Sequence, residues 1–342
     1  MKNVIHICTS SNGGISSVVN GYVKYFGLPR ENYWISHSGN FIFSIFRTIM
    51  ICFKILFDSH KIYHLHIANK GSVLRKFIIS IFIRFRKKKY IFHWHNGYFK
   101  KMFLTSNLER KLTENLLKYS CAIICITKEM KVFLAENMQI KNNVFIIHNF
   151  CETILEKPID LEKHRNTVKI VFFGRYVFDK GIYDLLVAFE RASFEVPVQL
   201  DFYGYGEIEK VKEIVGNSTK KNSININGWI EHSEFLKKLQ NYDFFVLPSY
   251  VEAFPVSILE AMGFGIPIIS THIGGVPEMI ENGKTGILFE AGNINELTDA
   301  LEKLTANKNL RIEFGKNAWI TATEKFSPKI ILKKLEDIYE KV

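Results

Sequence analysis

Two cations and two carboxylates in the C-terminal half have the types and spacing for phosphate and sugar chemistry. Arg175 and Lys180 stand in Gly174-Arg175-Tyr176-Val177-Phe178-Asp179-Lys180-Gly181, directly after an apolar run that reads as a strand. Cations fixed at a strand end can neutralise a diphosphate leaving group without a metal; the plain alternative is a pair of solvated surface charges. Glu252 and Glu260 bracket Ala253-Phe254-Pro255-Val256-Ser257-Ile258-Leu259 after a second strand-like run. Glu252 falls in the loop and Glu260 about two turns into the helix that follows, so one carboxylate can reach a sugar and the other a ribose. Pro255 suits the helix start, and the N–H groups of Val256 and Ser257 can hold an anion. Glu260 has Leu259, Ala261 and Met262 for neighbours, which leaves it little solvent to face.

These groups need a frame, and the hydrophobic pattern supplies one. Val4–Cys8, Tyr33–Ser36, Ile62–His66, Tyr90–His95, Ala122–Ile126 and Val144–Ile147 read as buried strands, with helical periods such as Ile15–Phe26, Leu108–Tyr119 and Lys128–Asn137 between them. Residues 152–167 are charged and patternless, the natural linker. The alternation then restarts with Val168–Gly174, Val198–Gly204, Ile224–Gly228, Phe244–Pro248, Ile266–Thr271 and Ile287–Phe289. The expected organisation is α/β, with one Rossmann-like, doubly wound parallel-sheet domain over 1–151 and a second over 168–326. A last helix, 327–342, is a candidate to return to the first. Ligands of such folds bind at the carboxyl ends of the strands, which predicts a cleft between the two sheets.

At 342 residues, 47% hydrophobic, the chain is long enough for two buried cores and too polar for a polytopic membrane protein. The five cysteines lack a CxxC pair and lie mostly in apolar runs, which fits buried reduced thiols. The Val4-Ile5-His6-Ile7-Cys8 opening reads as a strand rather than a signal peptide. Phe41 to Phe57 is the most membrane-like run, but with Arg47 and Lys54 it is too short and too charged for a span. Charge is uneven: residues 1–150 hold 22 Lys+Arg against 6 Asp+Glu, and the remainder 23 against 28. The basic half is expected to face something anionic: a nucleic acid, a phosphate-bearing substrate or an acidic membrane surface.

The ordered set Gly174–Gly181, Glu252–Glu260 with its Phe-Pro-Val interior, Gly274-Gly275-Val276-Pro277-Glu278 and Asn282-Gly283-Lys284-Thr285-Gly286 resembles the retaining GT-B glycosyltransferases of family GT4. It is similar to their bacterial surface-polysaccharide members (O-antigen, capsule, exopolysaccharide). The resemblance implies that Arg175 and Lys180 hold the donor diphosphate, Glu252 the sugar hydroxyls and Glu260 the ribose. It implies a base-binding turn at Gly228-Trp229-Ile230, with a core-capping Trp229 as the alternative. The family's glycine pair falls on Gly204 and Gly206, where Tyr205 replaces the usual acidic residue. Phe254, Pro255, Val256 and Ser257 complete the donor side.

In the first domain Asn12-Gly13-Gly14-Ile15-Ser16 can bring backbone N–H groups to a phosphate, Gly14 on the donor side and Gly13 on the acceptor side. It is not GxGxxG, so a nicotinamide cofactor has little support. His95 resembles the family histidine that approaches the donor sugar, with His93 as competitor and a core histidine as the plain reading. His64 and His66, or His93 and His95, pair only across one residue without Cys or acidic ligands nearby, so no metal site is expected. Arg75 and Lys76, in a segment similar to surface-polysaccharide members, are candidates for an acceptor-side phosphate. Arg84 and Arg86 to Lys89, flanked by Phe77, Ile78, Ile79, Ile81, Phe82 and Phe85, suit an anionic membrane surface, against the alternative of a solvated helix end.

The expected activity is a retaining, metal-independent hexosyltransferase without cofactor, since no DxD motif occurs. It would move a hexose or N-acetylhexosamine from a nucleotide-sugar, a UDP-sugar by default, to a saccharide on undecaprenyl diphosphate or another lipid. The expected place is cytoplasmic, peripheral on the inner face of the plasma membrane, with no nucleic-acid partner. The competing readings are a sugar-nucleotide epimerase or phosphorylase on the same fold and a non-catalytic nucleotide-sugar-binding subunit.

Overall fold

The computed structural model describes residues 4–9, 18–19, 21–22, 24–25, 27, 29–37, 40–68, 70–138, 140, 143–161 and 166–342. Two compact units emerge: Met1–Phe150 with Pro328–Val342, and Cys151–Ser327. The first holds six strands, β1 (Val4–Cys8), β2 (Tyr33–Ile35), β3 (Ile62–Ile67), β4 (Lys89–Trp94), β5 (Ala122–Cys125) and β6 (Val144–Ile146), in the order β2-β1-β3-β4-β5-β6. Every pairing in it is parallel. Strands covered on both faces read as unbroken apolar runs, which is why they were visible in the sequence. All the expected strands form, with ends moved by two residues at most.

The second unit repeats the scheme with β7 (Val168–Phe173), β8 (Val198–Tyr203), β9 (Ile224–Ile226), β10 (Phe244–Leu247), β11 (Ile268–Thr271) and β12 (Gly286–Phe289), ordered β12-β11-β10-β7-β8-β9. The chain reverses direction across the sheet between β7 and β10, so the crevice at their carboxyl ends is the topological place for a ligand. The start of the charged stretch expected as linker is tied down: Leu155 and Ile159 donate their backbone N–H to the carbonyls of Gly263 and Phe264. The helix Lys308–Phe326 was not visible as a hydrophobic stripe because half of its buried positions are small, Gly315, Ala318 and Ala322, beside Arg311, Phe314 and Phe326. A Cβ on Gly315 would stand 2.2 Å from the Gly265 carbonyl oxygen, so close approach, not bulk, fixes that helix.

One helix of the first unit is inverted. Phe41–Phe57 buries Ser44, Thr48, Ile51, Cys52 and Ile55, and exposes Phe41, Ile42, Phe43, Ile45, Phe46, Ile49, Met50, Phe53 and Phe57. Ser44 and Thr48 satisfy their hydroxyls on the carbonyls of Asn40 and Ser44, four residues back, which lets them face inward. Among the described residues no helix is long and apolar enough to cross a membrane. Four of the five thiols are buried, Cys121 is half-buried, and none is in a disulfide.

The parallel register has a consequence that the sequence concealed. His6 stands opposite His64, and His66 opposite His93. With side chains alternating every residue, His6, His64, His66 and His93 project from one face of β1, β3 and β4, and His95, just past the end of β4, joins them. They form a buried stack with ring centroids as close as 4.0 Å, for His93 and His95. The sequence shows two separate pairs without Cys or acidic ligands nearby; the register brings those pairs and His6 together.

Burial lowers all five proton affinities, those of His6 and His95 to about 3, and the rings depress one another further at His64, His66 and His93. In the unfolded chain each would titrate near 6.5. The folded form is thus fully stable above about pH 6.5 with respect to these groups, and loses stability as pH falls toward 3, because only the unfolded chain takes up the protons. Each tenfold difference in proton affinity is worth about 1.4 kcal/mol. Denaturant midpoints measured from pH 7.5 to 4.5 should fall, with an uptake of more than one proton on unfolding; a flat profile would contradict neutral buried rings.

Candidate active site

The cradle of the second unit is built from loops that only glycine allows to touch. Gly204 has φ +151, and a Cβ there would lie 1.7 Å from the Gly174 carbonyl oxygen. Gly174 N–H bonds the Tyr203 carbonyl, Tyr176 N–H the Tyr205 carbonyl, and Gly204 N–H the Gly228 carbonyl. The loops after β7, β8 and β9 are therefore one laced surface. Arg175 lies on it, exposed, immediately past the end of β7.

Lys180 ends a short 3-10 turn, Phe178–Lys180. Gly181 follows at φ +65 so near the Pro248 carbonyl that a Cβ would be 1.9 Å away. Tyr250 N–H donates to the Asp179 carbonyl, Phe178 and Tyr250 stack at 4.9 Å, and the Tyr250 hydroxyl donates to Asp184 Oδ2. This binds the loop after β7 to the loop after β10, and it brings Lys180 Nζ to 2.5 Å from Glu252 Oε1. Ser249 Oγ donates to the same oxygen at 2.9 Å. Gly274 presses on Glu252 from the other side: a Cβ there would be 2.0 Å from the Glu252 carbonyl oxygen, and Gly275 N–H bonds Ala253. The Asn282–Gly286 element is a turn into β12, its Gly286 backbone packed against Ile268.

The helix Val256–Phe264 begins at Pro255, φ −68, without a side-chain cap. Its first intrahelical bond is Leu259 N–H to Pro255, which leaves the amides of Val256 and Ser257 outside the helical ladder, with the positive end of the dipole. Phe254 is buried against Phe326 and anchors this start. Glu260 is buried, as its neighbours in the sequence indicated, and its Oε1 is hydrogen-bonded to His232 Nε2. Burial raises the Glu260 proton affinity; the hydrogen bond to Glu260 raises that of His232. His232 went unread in the sequence. Its one signal is its place three residues past Trp229, at the head of the helix His232–Leu239.

Gly228 takes φ +70, which turns the chain after β9. Trp229 is 44% exposed, with an edge toward Tyr205 at 5.4 Å, so it does not cap the core. Ile230 beside it is half-buried. Arg175, Lys180, Glu252, Glu260 and the Gly204 and Trp229 loops thus belong to one carboxyl-terminal edge of the second sheet.

The first-unit candidates fare unevenly. His95 directly follows β4 and is 7% exposed, its Nε2 on His66 Nδ1 and its Nδ1 without a hydrogen-bond partner among the described residues. Arg75 is half-buried. Lys76 corrects the expectation of a phosphate contact: it is wholly buried, its ammonium 2.6 Å from Ser36 Oγ, and burial lowers its proton affinity to about 7. Gly13 and Gly14 lie outside the described residues. Of the basic run, Arg84 stacks on Tyr119, Lys88 bonds the Asp58 carbonyl and Lys89 the Val342 carbonyl, while Arg86 and Lys87 are exposed.

Residues 154–319 match the family described as glycosyl transferases group 1. The chain is 28% identical over 277 residues to the uncharacterized glycosyltransferase MJ1069 of Methanocaldococcus jannaschii, across 76% of this chain and 70% of that protein. It is 28% identical over 254 residues to the N,N'-diacetylbacillosaminyl-diphospho-undecaprenol alpha-1,3-N-acetylgalactosaminyltransferase of Campylobacter jejuni, across 69% of this chain and 66% of that one. Its fold is similar to Anabaena Alr3699/HepE, crystallised in complex with UDP-glucose, with a TM-score of 0.79 at 16% identity over 99% of this chain and 100% of that one. The second unit is a GT4-like, group 1 glycosyltransferase domain, and the chain has the GT-B fold.

Proposed function

We propose that the protein is a retaining, metal-independent transferase that carries a hexose or N-acetylhexosamine from a UDP-sugar to a lipid-linked saccharide in bacterial surface polysaccharide synthesis. The observation that carries this reading is the 2.5 Å contact of Lys180 with Glu252 beside the uncapped start of the helix Val256–Phe264. A cation, a carboxylate and free helical amides side by side suit a sugar diphosphate. Lys180, Arg175 and the Val256 and Ser257 amides face its phosphates, while Glu252 accepts from sugar hydroxyls. Glu260, with His232 beside it, takes the ribose. The UDP-glucose bound by Alr3699/HepE and the diphospho-undecaprenol in the Campylobacter jejuni relative's name support the donor and acceptor classes.

In the reaction the anomeric carbon–oxygen bond breaks and its electron pair stays on the departing diphosphate. The acceptor oxygen bonds the anomeric carbon on the face that was vacated, which retains configuration, and its proton passes to the leaving phosphate. Charge on that phosphate peaks as the bond stretches, so fixed cations stabilise the transition state more than the ground state. Lys180→Ala and Arg175→Ala are expected to lower kcat/KM by about 10²–10³-fold with the fold intact. Thermal-shift titration should favour UDP- over GDP- and dTDP-sugars. Near-wild-type turnover in both variants would remove the site assignment.

The membrane face of the proposal rests on the inverted helix Phe41–Phe57, with Leu74, Ile78, Ile81 and Phe85 also exposed on Lys70–Phe85 and Arg86 and Lys87 just beyond it. An apolar face rimmed by cations fits an anionic bilayer surface. Transfer of each large apolar side chain from water contributes roughly 1.5–3 kcal/mol. Replacing Phe46 and Phe53 by Ser should therefore release the protein from phosphatidylglycerol vesicles in a sedimentation assay while sparing transfer to a soluble acceptor. Unchanged sedimentation would discard the bilayer as the occupant of this face.

A further inference from the structure

The five buried histidines form two three-ring sets, His6–His64–His66 and His66–His93–His95, each with one nitrogen per ring within 4.8 Å of the others, a spacing that a metal ion could use. Their hydrogen bonds point elsewhere. Both nitrogens of His6, His64 and His66 are already engaged, and the charged forms that act on these rings are one another, with no carboxylate among them. A dication there would leave its charge unbalanced in the interior.

The contacts run in one line. His95 Nε2 meets His66 Nδ1 at 3.0 Å, and His66 Nε2 meets His6 Nδ1 at 3.1 Å. His6 Nε2 lies 3.3 Å from the Tyr339 hydroxyl, which is 2.6 Å from His64 Nδ1, and His64 Nε2 meets His93 Nδ1 at 2.9 Å. Tyr339 comes from the helix Pro328–Lys341, so the returning C-terminus supplies the middle link. Among the described residues the two end atoms, His95 Nδ1 and His93 Nε2, are buried without partners.

We infer that His95, His66, His6, Tyr339, His64 and His93 form one hydrogen-bonded chain whose tautomers change together, so that Tyr339 and His93 set whether His95 Nδ1 donates or accepts. Each neutral ring carries one N–H and one lone pair, and the phenol carries one O–H. Every link joins the Nε2 side of one ring to the Nδ1 side of the next, directly or through the phenol. Six protons serve five links, and the sixth proton sits at one end. Two arrangements fill every link. In one, all five rings carry the proton on Nδ1, His95 ends as a donor and His93 Nε2 is bare. In the other, all five carry it on Nε2, His95 Nδ1 is a bare acceptor and His93 ends as a donor. A ring of the wrong tautomer sets two lone pairs or two N–H groups face to face, in an interior where water cannot repair the fault. Depressed proton affinities keep the rings neutral, as this scheme requires.

On the role that the family resemblance implies for His95, the chain fixes which hydrogen-bonding role its Nδ1 offers; His66, His6, Tyr339, His64 and His93 are positioning residues. The test has two independent arms. In full-length protein labelled with 15N-histidine, ring 15N shifts at pH 7 should place all five rings in one tautomer class. A spectrum divided between classes, or stoichiometric zinc in the purified protein, would overturn the chain. In the second arm Tyr339→Phe keeps the ring and removes the bridge. Its kcat should fall about tenfold, with UDP affinity unchanged, toward that of His95→Ala. Wild-type kcat in Tyr339→Phe beside an inactive His95→Ala would overturn the positioning role. Wild-type kcat in both would overturn the assignment of His95 to the reaction, while the tautomer result stands on its own.

Discussion

The second unit depends on backbone meeting backbone at the carboxyl ends of its strands. Gly204 on Gly174, Gly181 on Pro248 and Gly274 on Glu252 are contacts of less than the width of a methyl group, each at a positive φ. No other residue type satisfies both conditions without displacing a loop. Because the loops after β7, β8, β10 and β11 are joined in this way, Lys180 and Glu252 meet without long side-chain searches. The entropy of arranging the site is spent in folding, not at the moment of reaction. Motif glycines distant in sequence from the charged residues thereby act on the same few atoms.

Electrostatics divides differently in the two halves. The first half carries a large basic excess, yet its sheet core holds five imidazoles without charge and one lysine whose proton affinity is near neutrality. The basic excess therefore stays outside, at positions such as Arg86 and Lys87. In the second half the charge pair of Lys180 with Glu252 is half-buried, and the buried Glu260 carboxyl has the His232 imidazole against it. Buried polar groups persist where a partner is built in.

Strands and motif order were legible because both are local: an apolar run or a Glu-x7-Glu spacing needs no knowledge of what lies beside it. The α/β architecture, the buried Glu260 and the helix start at Pro255 all came from such patterns. What escaped was set by pairing between distant segments. Four histidines in β1, β3 and β4 and His95 just past β4 come together only because of register, and Tyr339 joins them from 246 residues beyond His93. His232 meets Glu260 across 28 residues. Lys76 reads as a surface cation beside Arg75, but the helical turn directs it inward to Ser36. Length and charge ruled out the run Phe41–Phe57 as a span, while the informative property was which of its faces the rest of the unit covers.

That helix also bears on how the molecule distributes itself. It exposes five phenylalanines, so that on the proposed bilayer reading solubility and adsorption compete. At an interface the protein searches in two dimensions in place of three. A substrate confined to the same layer is then met at a local concentration set by the thickness of that layer, not by the volume of the cell. For such a pair, partitioning governs encounter, and a modest intrinsic affinity for acceptor suffices.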